Sequence, residues 1–119
     1  MRKLSKKYQL AVVTARVKKG VKPVLEKYGY GGIFKTLVAF EDYKHPKPDP
    51  ESLLVALKEL RVKPAEAVYV GDMPSDVECA NRADVTSINI SRDTNLKADF
   101  NVRTFAQLEN TVNIYARQD

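Results

Sequence analysis

Short apolar runs alternate with amphipathic stretches along most of this 119-residue chain. The runs at 8–14, 36–40, 67–70 and 85–90 predict four strands, and the first is apolar enough to be buried on both faces. Strands that alternate with helices favour a parallel sheet joined by crossover helices. We therefore predict an α/β fold, with a Rossmann-like parallel sheet flanked by helices.

Five helices and a short edge strand complete the predicted pattern. The clearest helix covers 50–60, because Asp49 can cap it, Pro50 suits its first position, and four leucines recur at helical spacing. Pro23 is tolerated in the second helix if it lies in the first turn. The helices are predicted at 1–7, 18–28, 50–60, 75–82 and 105–116, and the edge strand at 99–102. The four leucines are Leu53, Leu54, Leu57 and Leu60.

Length and composition limit the classes of protein to consider. The length suits one domain, and 44% apolar with 29% charged residues predicts a packed core with a charged surface. No run of 18 apolar residues occurs, so we expect no membrane association. The net charge of +5 is dispersed and lacks interleaved aromatic residues, which favours a solvated surface with modest attraction for phosphorylated anions over nucleic acid. The single cysteine, Cys79, fits a cytoplasmic location.

Two carboxylates follow the third predicted strand, in the stretch Gly71-Asp72-Met73-Pro74-Ser75-Asp76. Ligands of open α/β sheets bind outside the carboxyl ends of the strands. Asp72 and Asp76 there suit a hard cation such as Mg²⁺, which takes oxygen ligands and keeps several waters. The alternative is an ordinary turn in which an Asp caps the next helix.

Two further side chains close or follow predicted strands. The hydroxyl of Thr14 and the backbone N–H groups of its strand-to-helix turn can hold a phosphate oxygen, although Thr14 also suits a helix cap. Lys47 lies between Pro46 and Pro48, which restrict the backbone, and a positioned Lys can neutralise a phosphoryl group. The alternative for Lys47 is a solvated loop lysine. The neighbouring His45 could serve as an acid or base, but it better fits an exposed loop.

Thr14, the stretch Lys47-Pro48-Asp49-Pro50 and the stretch 71–76 resemble, in this order, the second, third and fourth motifs of the haloacid dehalogenase-like hydrolases. The resemblance is closest to the phosphoglycolate phosphatase-like branch and covers about 4–108. It implies Mg²⁺-dependent hydrolysis of a phosphorylated small molecule. It also implies that Thr14 and Lys47 are catalytic, that phosphate binds to Thr14, Ala15 and Lys47, and that the metal ligands are Asp72 and Asp76.

The first motif of that family, Asp-x-Asp, is not found in this sequence. In the family, its first Asp is the nucleophile that forms an aspartyl-phosphate and its second is the general acid and base. The resemblance thus implies that 1–119 form one partial core domain, truncated before the second motif, with neither the first, central strand nor a cap domain. We expect such a chain to be inactive alone and to bind Mg²⁺ weakly.

The strands beside a missing central strand either pair directly or leave a gap with unpaired edges. We expect a gap to be filled by a second copy, by a partner chain or by this chain's own N-terminus. Two other functions stay open for the sequence: a non-catalytic module that binds phosphate and Mg²⁺, and an assembly subunit that retains the motifs as remnants.

Overall fold

A computed structural model describes residues 2–91 and 97–117, and it shows the predicted alternation of helices and strands. The helices are α1 (Arg2–Lys7), α2 (Lys18–Lys27), α3 (Glu51–Leu60), α4 (Pro74–Arg82) and α5 (Phe105–Arg117). The strands are β1 (Ala11–Val13), β2 (Thr36–Val38), β3 (Val68–Gly71), β4 (Thr86–Ile90) and β5 (Phe100–Val102). Met1 of the first predicted helix and 92–96 of the polar loop before β5 lie outside the described residues. Among the described helices, none has the length and apolar character needed to cross a bilayer.

Every strand pair in the part of the chain that the structure describes is parallel, which confirms the predicted α/β class. In the pair of β1 and β2, Ala11 lies opposite Thr36. In the other sheet, β4 lies between β3 and β5, with Val68 opposite Thr86. Because parallel strands end at the same edge of a sheet, the turns after β1 and β2 lie at one edge of the first sheet.

The five strands form two sheets, β1-β2 and β3-β4-β5, and within the described ranges no backbone pairing joins β1 to β3. Helix α3 spans both sheets. It packs against β1 and β2, and its Leu53 and Leu57 also belong to a core cluster against which Tyr69 of β3 packs. Of the two arrangements expected from the sequence, the structure therefore has the gap rather than direct pairing, and one edge of β1 and one of β3 are unpaired.

Two apolar clusters cover opposite faces of the second sheet. One joins α3 and α4 to the sheet, and the other joins α1 and α5 to it, so that helices flank the strands on both sides as predicted. The first cluster contains Leu53, Leu57, Cys79, Ala80, Ala83 and Val85. The second contains Leu4, Ile88, Val102, Leu108 and Val112. Burial raises the pKa of the Cys79 thiol, which agrees with a packing role for this side chain.

The buried stripe of α3 differs from the predicted one. Leu53 and Leu57 are buried, but Leu54 is 43% exposed. Ser52 and Ala56 complete the buried face instead. Ser52, Leu53, Ala56 and Leu57 recur at spacings of three and four and so share one face of the helix, and Leu54 lies beyond the edge of that face.

The start of α3 agrees closely with the sequence. The helix begins at Glu51, one residue later than predicted, and the Asp49 carboxylate accepts a hydrogen bond of 2.9 Å from the Glu51 backbone N–H. The cap position of α3 is Pro50 rather than the predicted Asp49, which lies one residue earlier and still supplies a side-chain acceptor for the first turn. At the end of α2, Gly29 has a φ of 75°, the left-handed conformation expected of a glycine that terminates a helix.

Helix α2 begins at Lys18, as predicted, so Pro23 falls in its second turn and the condition under which we expect it to be tolerated, a place in the first turn, is not met. A proline there cannot donate the usual helical hydrogen bond. The helix start is held from outside instead. Glu41 accepts a 3.1 Å hydrogen bond from the Lys18 backbone N–H, and Asp42 pairs with the Lys18 ammonium at 3.1 Å. The segment after β2 thereby fixes the turn that follows β1.

Candidate functional site

The ammonium of Lys47 lies in a hydrogen-bonded group formed with Tyr69 and Asp76. Lys47 Nζ donates to Asp76 Oδ1 at 2.7 Å and to the Tyr69 hydroxyl at 3.0 Å. The Tyr69 hydroxyl in turn donates to Asp76 Oδ1 at 3.4 Å. The side chains of Lys47 and Asp76 are only 18% and 10% exposed. Lys47 is therefore not a solvated loop lysine, and it joins the loop before α3 to the turn after β3.

Both proton donors of this group keep their protons at neutral pH. Burial by itself would lower the pKa of the Lys47 ammonium, but the hydrogen bonds with Asp76 and Tyr69 outweigh it and raise the pKa above its ordinary value. Burial raises the pKa of Tyr69 to about 12, although the Lys47 charge opposes this shift. The site thus holds a largely desolvated ammonium that stays protonated and is ion-paired with Asp76, and such an ammonium can still donate to an anionic ligand.

The second oxygen of Asp76 holds the turn after β3. Asp76 Oδ2 accepts hydrogen bonds of 3.2 Å from the backbone N–H groups of both Asp72 and Met73. Together with Lys47 and Tyr69 on Oδ1, these bonds occupy the roughly four lone-pair positions that a carboxylate offers. Asp76 therefore caps the start of α4, which is the alternative to a metal site that we gave for this turn. The predicted metal role of Asp76 stays a prediction, and the geometry favours an orienting role over direct ligation.

Gly71 makes the close approach of Asp76 to the strand end feasible. A Cβ atom at Gly71 would lie 2.4 Å from the Cβ and 2.5 Å from the Oδ2 of Asp76. Contacts this short do not occur between non-bonded atoms, so any larger residue would push the carboxylate away. The glycine that precedes Asp72 in the sequence is thus explained by the position of Asp76.

Asp72 is exposed at the carboxyl end of β3. Within the described ranges, its carboxylate has no hydrogen-bond or ion-pair partner, and no cluster of three or more His, Cys, Asp or Glu side chains forms a metal site. Mg²⁺ is often held by one or two carboxylates and several waters. Asp72 fits as one carboxylate of such an oxygen ligand set, while Asp76 holds the turn that carries it.

Thr14 occupies the end of β1, as predicted. Its backbone N–H donates to the Val38 carbonyl at 2.9 Å, and its Oγ1 accepts a 3.1 Å hydrogen bond from the Arg16 N–H. The hydroxyl therefore shapes the turn rather than capping α2, whose cap position is Val17. Its own proton remains a donor for a ligand. Ala15 is exposed in the same turn.

The sequence reasoning missed two tyrosines of this region, Tyr43 and Tyr69. The Tyr43 hydroxyl donates to the Thr14 carbonyl at 2.9 Å. Burial raises the pKa of Tyr43, and the charge of Lys47 opposes this shift. A phenol inside the short apolar run at 67–70 was a usable signal for Tyr69, because a buried tyrosine hydroxyl usually needs a partner. No comparable signal marked Tyr43.

His45 lies apart from the Lys47 group, as an exposed residue paired with Glu51. The distance between His45 Nδ1 and Glu51 Oε1 is 2.8 Å, and this hydrogen bond raises the pKa of His45 and lowers the pKa of Glu51. We expect an NMR titration of the single histidine to give a pKa above the ordinary value of about 6.5. Because the pKa of His45 is raised on folding, the stabilisation from this ion pair is present below about pH 6.5 and is lost as the pH rises through the raised value; it is also lost in acid, as the pH falls through the lowered pKa of Glu51.

In the Glu51→Gln variant, the pKa of His45 should fall back toward its ordinary value. The matched control is Glu41→Gln, which removes a carboxylate that contacts Lys18 and not His45. An unchanged titration of His45 in Glu51→Gln would show that the ion pair does not form in solution.

Comparison with known proteins gives matches of sequence and of structure. The family model for haloacid dehalogenase-like hydrolases matches residues 1–90. The pyrophosphatase PpaX of Bacillus velezensis is 39% identical over 84 residues, covering 71% of this chain and 39% of that protein. The phosphoglycolate phosphatase of Pseudomonas putida is 29% identical over 83 residues, covering 70% of this chain and 30% of that protein.

Two crystal structures illustrate the likeness of the fold. The HAD phosphatase of Thermococcus onnurineus gives a TM-score of 0.78 at 32% identity, over 88% of this chain and 50% of that one. The beta-phosphoglucomutase of Clostridium difficile gives a TM-score of 0.82 at 26% identity, over 96% of this chain and 52% of that one. The chain thus spans about a third of the length of the curated relatives and half that of the crystallised ones.

Proposed function

Because this chain belongs to the haloacid dehalogenase-like hydrolase family, we propose that it provides the phosphate-contacting and metal-binding part of a Mg²⁺-dependent phosphomonoester phosphatase. Relatives named as phosphatases support a phosphatase-like hydrolase core. The observation that carries the proposal is the mostly buried, charged Lys47, which Asp76 joins to the turn that bears Asp72. A positive charge beside an unpartnered carboxylate suits a phosphoryl group together with a divalent cation.

Each residue of the site has a distinct role in this proposal. Lys47 neutralises charge on the phosphoryl oxygens, while the Thr14 hydroxyl and the Ala15 N–H donate hydrogen bonds to them. Asp72 contributes one ligand to Mg²⁺, and Asp76 orients the turn, with direct ligation as its alternative role. Mg²⁺, when bound, would supply a Lewis acid that polarises a phosphoryl oxygen. The substrate class is a phosphorylated small molecule.

The acceptor of the phosphoryl group would come from residues other than these 119, which contain no Asp-x-Asp. The unpaired edges of β1 and β3 offer backbone N–H and C=O groups to a further strand, as in recognition by strand addition. We propose that an Asp-x-Asp strand from another segment or chain lies there. In its absence, we expect this chain to bind Mg²⁺ weakly and to catalyse no measurable turnover, since loss of a covalent nucleophile costs about 10⁴–10⁶-fold in rate in other enzymes.

The proposal is tested by assaying the purified 119-residue chain with p-nitrophenyl phosphate and Mg²⁺, alone and co-expressed with an Asp-x-Asp strand. We expect turnover only in the co-expressed form, and its loss in Asp72→Asn. The control is Asp84→Asn, at an exposed position beyond α4 where a φ of 59° is readily adopted by Asn. Robust activity of the chain alone that Asp72→Asn abolishes would refute the need for a second segment.

A non-catalytic module that binds phosphate and Mg²⁺ is the second candidate. Two observations favour it: Lys47 is charged and can contact phosphate, and the sequence lacks the Asp-x-Asp motif that would accept the phosphoryl group. It predicts saturable binding of inorganic phosphate with no turnover in the co-expressed form. Size-exclusion chromatography with light scattering would show whether a second copy occupies the strand edges, since a stable monomer at high dilution argues against it.

We also propose a cytoplasmic location, which the single, buried Cys79 supports.

A further inference from the structure

We propose that Tyr69 is a positioning residue for Lys47. Its hydroxyl fixes the orientation of the ammonium, so that Lys47 keeps one N–H bond ready for an anionic ligand. The inference rests on the phosphate-contacting role proposed above for Lys47. Tyr69 then has a role in orienting Lys47 in addition to its packing in the core.

The contact between Tyr69 and Lys47 is a hydrogen bond rather than a cation–π interaction. Lys47 Nζ lies 3.0 Å from the Tyr69 hydroxyl and 5.6 Å from the ring centre. These distances require Nζ to lie nearly in line with the C–O bond, beyond the hydroxyl and close to the ring plane. Cation–π attraction acts over the face of a ring. Removal of the hydroxyl alone therefore removes this contact, with no attraction by the ring face to replace it.

Matching donors with acceptors shows why the hydroxyl orients the ammonium. Lys47 has three N–H bonds, of which Asp76 and Tyr69 accept two. Among the described residues, nothing accepts the third. With Asp76 alone, the ammonium would rotate freely about one hydrogen bond. The second bond, to Tyr69, restricts this rotation and leaves the remaining N–H in one defined direction.

The position of the Tyr69 hydroxyl is itself fixed by packing. The ring packs against the core cluster that contains Leu53 and Leu57, and β3 holds its backbone in the sheet. The hydroxyl also donates to Asp76 at 3.4 Å, which closes a ring of three hydrogen bonds. Tyr69 is thus held by the core on one side and by the site on the other.

The experiment compares Tyr69→Phe with the wild-type chain in two measurements. The first is the NMR signal of the ¹⁵N-labelled Lys47 ammonium, which we expect to exchange slowly with water in the wild type and quickly in the variant. The second is a titration with inorganic phosphate, in which we expect the affinity to fall by about three- to tenfold. The matched control is Tyr8→Phe, which removes a half-buried hydroxyl that donates to Asn113 at 2.9 Å, in a different core cluster.

Each outcome decides a separate point. Unchanged exchange of the Lys47 ammonium in a folded Tyr69→Phe variant, or equal changes in Tyr8→Phe, would overturn the positioning role. If Tyr69→Phe fails to fold, the positioning role is tested on the wild type alone. The role then requires a Lys47 ammonium signal that exchanges slowly with water and shows a nuclear Overhauser contact to the Tyr69 ring. Lack of either signal overturns it. No binding of phosphate by the wild type would contradict the proposed function, while the ammonium measurement still tests Tyr69.

Discussion

The Lys47→Met variant should lose phosphate binding by about 10–100-fold and unfold about 3 kcal/mol more easily. Methionine keeps much of the side-chain volume but removes the charge and both hydrogen bonds, to Asp76 and Tyr69. The Asp76 carboxylate would then be left mostly buried without its cation. Removal of one partner from a buried ion pair costs about 3–5 kcal/mol, and we expect the lower end because Lys47 is still 18% exposed.

The matched control for Lys47→Met is Lys18→Met. It breaks the ion pair between Lys18 and Asp42, which also joins a lysine to an aspartate. The side chains of that pair are 39% and 24% exposed, so its removal should cost no more than about 1 kcal/mol. Urea unfolding measures both free energies, and titration with inorganic phosphate measures the affinities. Equal and small losses of stability in the two variants would show that Lys47 and Asp76 are not paired in solution.

The Gly71→Ala variant should lose about 1–3 kcal/mol of stability and also bind phosphate less tightly. Its new methyl group would lie 2.4 Å from the Cβ of Asp76, so that the Asp76 side chain or the strand end must move. Displacement of Asp76 would break its hydrogen bonds with Lys47 and with the Asp72 backbone. One added carbon atom should therefore disturb both the phosphate contact and the metal turn.

The control for Gly71→Ala is Gly20→Ala in helix α2, where a Cβ atom meets nothing within 4 Å. Alanine is the better helix former, so this variant should be more stable than the wild type by roughly 0.5 kcal/mol. We therefore expect urea unfolding to give a lower free energy of unfolding for Gly71→Ala and a higher one for Gly20→Ala, each relative to the wild type. A Gly71→Ala variant as stable as the wild type would mean that Asp76 does not approach the end of β3 as closely as described.

Much of the fold could be predicted from local patterns. The strand at 67–70, the helix at 50–60 with the Asp49 acceptor before it and the ending of α2 at Gly29 all depend on residues within a few positions of one another. The error in the buried face of α3 came from a longer-range effect. Leu54 is exposed because the orientation of α3 is set by its packing against both sheets.

By itself, the sequence determined the parallel α/β class, the family resemblance, and the placement of Thr14, Lys47 and Asp72 at or after strand ends, because these depend on periodicity and short motifs. Only the tertiary structure decided what those side chains contact. Lys47 meets Tyr69 and Asp76 across 22 and 29 residues of chain, and α3 bridges two sheets whose strands β1 and β3 do not pair. Such contacts follow from the packing of whole elements, which no short stretch of sequence specifies.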